Sequence, residues 1–138
     1  WQQALGWLRQ AHTLVMVDVV THNSVMSACA GAHRWRHTLR LLADLSGTCG
    51  LRRDLVSYNT ASSASEWACE WRSCMALFWE LRASKLRMDH KAYRSPARAC
   101  GQGGSWLASA AIFACMRRDG ITDDDGSAWS AVVWACEA

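Results

Sequence analysis

Four aspartates, Asp18, Asp54, Asp89 and Asp125, stand 36, 35 and 36 residues apart, and the residues behind them keep step. Four places after each comes a ring: His22, Tyr58, Tyr93 and Trp129. Ten places after each comes Ala28, Ala64, Ala99 or Ala135, and one place further Cys29, Ser65, Cys100 or Cys136. The segment "DVVTHN" from Asp18 returns as "DLVSYN" from Asp54, with an apolar pair, a small hydroxyl residue, a ring and an Asn in the same order. A period of this length marks a supersecondary unit copied in tandem. Small residues held at two fixed places point to helices that approach closely, where only a short side chain fits.

Within each unit both halves carry helical stripes. Val25, Met26, Ala28 and Cys29 fall at i, i+1, i+3 and i+4 in a first half, and Ile112, Phe113 and Met116 at i, i+1 and i+4 in a second. Between the halves, "AGAHRW" and "GQGGSW" supply glycines that break the helix. A two-helix hairpin cannot bury its apolar face alone, whereas stacked hairpins can. The expected fold is therefore all-α: an α-solenoid of stacked helix-turn-helix hairpins with a period of about 35 residues. The expected units are a second helix of a truncated repeat over 1–18, repeats over 19–54, 55–89 and 90–125, and a first helix over 126–138. Ala61 and Ser62 stand where other units place Val25-Met26 or Val132-Val133, which predicts a weaker core there. Pro96 is expected in the first turn of its helix, where proline does least harm.

The bulk numbers exclude some classes. With 51% hydrophobic and 20% charged residues, the chain can build a core and is not a disordered tail. Its net charge of +3 permits a polyanion partner without demanding one, and nearly all positive charge is arginine, since Lys85 and Lys91 are the only lysines. No run of apolar residues is long enough to span a membrane, so no membrane association is expected. The chain opens at Trp1 and ends inside an expected helix, which reads as a segment of a longer protein; no targeting peptide is visible.

Seven cysteines invite a metal or disulfide reading, but no C-x-x-C occurs and Gly31 interrupts the Cys29, His33, His37 series. Asp123, Asp124 and Asp125 read as a solvated link, and nothing in the pattern assembles Ser, His and Asp into a catalytic set. The expectation is no enzyme, no metal and no cofactor. Trp35, Trp71 and Trp106 return at the start of the second helix, 36 and 35 apart, a phase that predicts packing between repeats.

The "DVVTHN" and "DLVSYN" segments, each about 35 residues from its neighbour and followed by small residues and an apolar second helix, resemble pentatricopeptide repeats. The match is strong over Asp18–Asp54, fair over Asp54–Asp89 and weaker beyond. The tetratricopeptide repeat is the nearest competitor, but its Trp, Leu-Gly and Tyr pattern is not in register here. The resemblance implies binding of single-stranded RNA, one base per repeat, through the fifth residue after the Asp and the Asp that closes the unit, with the second residue packing on the base. Carried over, the first unit offers Asn23 with Asp54 and Val20; the second offers Asn59 with Asp89 and Val56. In the family, Asn with Asp goes with uridine, and Thr with Asp with guanosine. Uracil's pairing edge shows one N–H between two carbonyls, and an Asn amide carries both a donor and an acceptor to meet it. A stiff β-branched Val makes a firm stacking plate. The third unit departs from the pattern, with Lys91 at the packing place, Arg94 at the fifth, and Asp125 or Asp124 closing it. The fourth offers Ser127 and Ser130. The blander reading of Asn23 and Asn59 is helix-start chemistry. The functional alternatives are a groove that takes other proteins, or a decayed array that binds no RNA. The resemblance also implies a plastid or mitochondrial protein acting in RNA processing, stability, editing or translation.

Overall fold

The computed structural model describes residues 1–14, 18–47, 50–122, 126, 129–130 and 133, without the side chains of 9 and 11–14. Among them are seven α-helices of 13 residues and no strand: α1 (Gln2–Leu14), α2 (Val19–Gly31), α3 (Trp35–Gly47), α4 (Leu55–Trp67), α5 (Trp71–Ala83), α6 (His90–Gln102) and α7 (Trp106–Arg118). No described helix is long and apolar enough to cross a membrane.

The aspartate register is a set of helix caps. Asp18, Asp54 and Asp89 sit in extended backbone just before α2, α4 and α6, and each carboxylate accepts the N–H three residues on, from Thr21, Ser57 and Ala92. That bond satisfies a donor which the first turn of a helix leaves without a partner. The hairpin turns close identically: Arg34, Glu70 and Ser105 donate their N–H to the carbonyls of Cys29, Ser65 and Cys100, each at 2.9 Å. The residue before each donor, His33, Cys69 or Gly104, takes a positive φ of 56–68°. The actual helix stop is thus this left-handed position, which glycine fills in the third unit alone; Gly31 is still helical.

Packing explains the small residues. The first helices α2, α4 and α6 are successive neighbours, α3 packs on α4, and α5 packs on α6. Among the described residues the backbones of α3, α5 and α7 stay apart, and Arg82 of α5 reaches Asp119 at the end of α7 through a 2.7 Å ion pair. The first-helix layer is therefore the tight one. Ala61, Ala64, Ser65, Ala97, Ala99 and Cys100 are buried in that layer. Ala28 is exposed, because among the described residues no first helix packs on that side of α2. The core runs through the hairpins from Leu8 and Met26 to Leu45, Phe78, Tyr93, Ile112 and Met116. The expected weak spot at Ala61-Ser62 is closed in by Leu77, Phe78 and Leu81 to a cavity of about 10 Å³.

One expectation is corrected, and another holds where the described chain has a following turn. Pro96 lies in the interior of α6, not its first turn, and is fully buried. It withdraws the N–H that the Ala92 carbonyl would otherwise accept. Of the recurring tryptophans, Trp71 does pack between repeats, with its ring against Gly103 of the following turn. Trp106 is 52% exposed, since no further turn of the described chain covers it.

Candidate functional site

Because α2, α4 and α6 lie side by side, their capped starts form one continuous edge of the array. Each closing aspartate there serves two units at once. Asp54 caps α4 through the Ser57 N–H at 2.8 Å and also receives the Asn23 Nδ2 of the preceding helix at 3.1 and 3.3 Å. Asp89 repeats the arrangement, taking the Ala92 N–H at 3.0 Å and the Asn59 Nδ2 at 3.2 Å to both oxygens. The two Asn–Asp pairs that the family resemblance implied are in direct contact, across 31 and 30 residues of chain. The same bonds weld neighbouring repeats together, so the pairing has a structural role of its own.

The electrostatics follow from these bonds. Burial opposes ionisation of Asp54, but the Ser57 N–H, the Ser57 hydroxyl and the Asn23 amide outweigh it and hold its carboxyl below the ordinary value. Asp18 is lowered too, by the Thr21 N–H and hydroxyl. An ionised carboxylate accepts only, so it faces each Asn with an acceptor and draws the NH2 end toward itself.

Beside each Asn an apolar side chain stands out of the helix. Val20 is 70% exposed and Val56 57% exposed, large values for valine on an otherwise packed helix. Each stands three residues before its Asn, so an apolar plate and a polar amide lie on one helix face. Main-chain needs nearby are already met: Ser24 and Thr60 turn their hydroxyls back to the carbonyls of Val20 and Val56 at 2.9 and 2.8 Å.

The third unit presents a different surface. Lys91 is exposed where the valines stand, and Arg94 is half-buried where the asparagines stand. Asp125, together with Asp124 and Ser127, lies outside the described residues, and so do Ala135 and Cys136 of the small-residue register. Ser130 is exposed and donates to the Gly126 carbonyl at 2.7 Å. No group of three or more His, Cys, Asp or Glu among the described residues is arranged to hold a metal ion.

Sequence reasoning missed Ser57. Its hydroxyl lies 2.7 Å from Asn23 Oδ1 and 2.8 Å from Asp54 Oδ1, bridging the pair. The signal was present, since a hydroxyl residue follows both Asp18 and Asp54 at the third place, but the spacing alone gave it no role.

No protein-family model matches this chain, and no curated protein does. Solved structures do. The chain is similar to the crystal structure of the pentatricopeptide repeat protein PPR10 from maize, with a TM-score of 0.83 at 16% identity, over 97% of this chain and 19% of that one. It is also similar to PPR10 in complex with an 18-nt psaJ RNA element, with a TM-score of 0.74 at 24% identity, over 86% of this chain and 17% of that one. A complex of a triple Cys-to-Ser variant matches equally. The chain thus has the fold of a pentatricopeptide repeat array, and it spans about a fifth of the length of the structures it matches.

Proposed function

We propose that this chain is a stretch of an RNA-reading array, in which α2 with Asp54 and α4 with Asp89 each bind one base of a single strand. The unit boundaries at 19, 55 and 90 and the roles of the named residues belong to this proposal. The observation that carries it is the doubled contact: Asn23 on Asp54 and Asn59 on Asp89, in the same geometry, each beside an exposed valine. Helix-start chemistry alone explains an Asn near a cap. It does not explain two exposed valines at the matching place, which cost solvation and contribute nothing to the core.

The chemistry fits uridine. The Asp orients the amide, the amide meets the base edge, and the valine of the same unit packs on the base plane. Lys91 and Arg94 suit phosphate or stacking rather than edge reading, so the third unit contributes affinity more than sequence. The fold match to an RNA-bound array supports the reading, and the family resemblance supports a plastid or mitochondrial setting and a role in RNA processing, stability, editing or translation. No catalytic step is assigned to it.

The test is a competition experiment with the full-length protein. Single-stranded RNA selected from a random pool should bind, and the same sequence annealed to its complement should compete poorly. Equal competition by duplex would overturn repeat-by-repeat reading, because a paired base hides the edge that Asn23 and Asn59 are held to meet.

A further inference from the structure

We propose that the residue three places after each closing aspartate is a positioning residue that decides how firmly the preceding unit's Asn amide is held toward the base. Ser57 holds Asn23 at a second point, and Ala92 leaves Asn59 held by Asp89 alone. The inference rests on the RNA reading above and deepens it: two units with the same Asn–Asp pair discriminate bases to different degrees.

Asn23 is held at both ends. Its Nδ2 donates to Asp54, and its Oδ1 lies 2.7 Å from the Ser57 hydroxyl. That hydroxyl also lies 2.8 Å from Asp54 Oδ1, and it has one proton to give. The hydroxyl proton lies between Asn23 Oδ1 and Asp54 Oδ1, so the serine ties the amide oxygen and the carboxylate together. With Oδ1 turned inward and bonded, what Asn23 offers the base is its second N–H.

Asn59 is held at one end. Asp89 takes its Nδ2, but the third residue is Ala92, whose methyl donates nothing. Asn59 Oδ1 is buried and accepts no hydrogen bond among the described residues. The cavity of about 10 Å³ lies beside it, lined in part by Asn59, Ser62 and Ala92. A buried acceptor without a donor is costly, so the Asn59 amide, bonded through Nδ2 alone, is held less firmly than that of Asn23. Uracil and cytosine differ here: uracil offers a carbonyl and an N–H where cytosine offers an amino group and a bare nitrogen. A committed N–H donor separates them sharply. An N–H on an amide anchored at one end only separates them less well.

The experiment uses the full-length protein and RNAs drawn from a random-sequence single-stranded pool, with U exchanged for C one nucleotide at a time. The nucleotides belonging to the two units are those whose preference moves in Asn23→Thr and Asn59→Thr proteins. The U-over-C ratio should be about 2- to 10-fold larger at the Asn23 nucleotide than at the Asn59 nucleotide, the worth of one neutral hydrogen bond. Ser57→Ala should lower the first ratio to the level of the second, Ser57→Thr should preserve it, and Ala92→Ser should raise the second ratio. Binding at every other nucleotide should stay put, which a merely structural effect would not allow. If the Asn variants move base preference while Ser57→Ala and Ala92→Ser leave both ratios unchanged, the positioning role is overturned and the RNA reading stands. If the Asn variants move nothing, the RNA reading itself fails and takes this inference with it.

Discussion

Asp54 joins two helices through one carboxylate, and that makes it the residue on which structure and proposed reading meet. Asp54→Ala removes the cap of α4 and the anchor of Asn23 together. It should destabilise the chain by roughly 1–2 kcal/mol, the usual worth of a cap, as measured by urea unfolding. Its pH dependence has a definite sign. A carboxyl held below its ordinary value in the folded state contributes stability that is present above that value and lost as pH falls through the folded one. Unfolding midpoints should therefore fall below about pH 4, and Asp54→Asn should flatten part of that fall; a slope unchanged in the variant would contradict the assignment. At this scale much was legible in the sequence. The Asn–Asp pairs were implied by the family resemblance, and the contact itself arises because the fifth residue of one first helix meets the cap of the next. Ser57 was not legible, because its role depends on a distance between two helices that spacing does not encode.

The helices obey caps and stops more than propensity. Residues 50, 85 and 120 take the same left-handed backbone after α3, α5 and α7, as Gly50, Lys85 and Gly120. Lys85 is the one that bears a Cβ there, which costs about 1–2 kcal/mol in that conformation. Lys85→Gly should thus raise the thermal midpoint, and a fall would show that the lysine makes a compensating contact. Gly103 is the converse case. Its φ is ordinary, but a Cβ there would meet Trp71 Cδ1 at 2.3 Å and Cγ at 2.9 Å. Gly103→Ala should cost about 1–3 kcal/mol by overpacking and should shift Trp fluorescence. Gly31→Ala, with nothing within 4 Å of the added atom, should be neutral or slightly stabilising. Helix existence, order and register were readable from stripes and spacing. The stops were read from glycines, and there the reading slipped: His33 and Cys69 occupy the left-handed turn because the Schellman-type bond to Cys29 and Ser65 holds them. Pro96 was misplaced because the helix start was set too late in the pattern: α6 begins at His90, six residues before it.

At the scale of the molecule, the tight first-helix layer gives an array with its aspartate edge continuous along α2, α4 and α6. That the hairpins stack was legible in the repeat period. If that edge reads RNA, affinity grows by joining many sites on one strand, and this segment alone should bind weakly. Affinity should fall with salt through phosphate contacts, and Lys91→Ala should reduce the salt slope without changing base preference. The central claim is that one amide reads one base, and Asn59→Thr in the full-length protein tests it most directly. Binding is measured to RNAs varied one nucleotide at a time. The account predicts that a single position moves from U toward G, by roughly 1–3 kcal/mol of discrimination, while the other positions keep their preferences. An unchanged profile would mean that Asn59 only ties α4 to Asp89 and reads nothing.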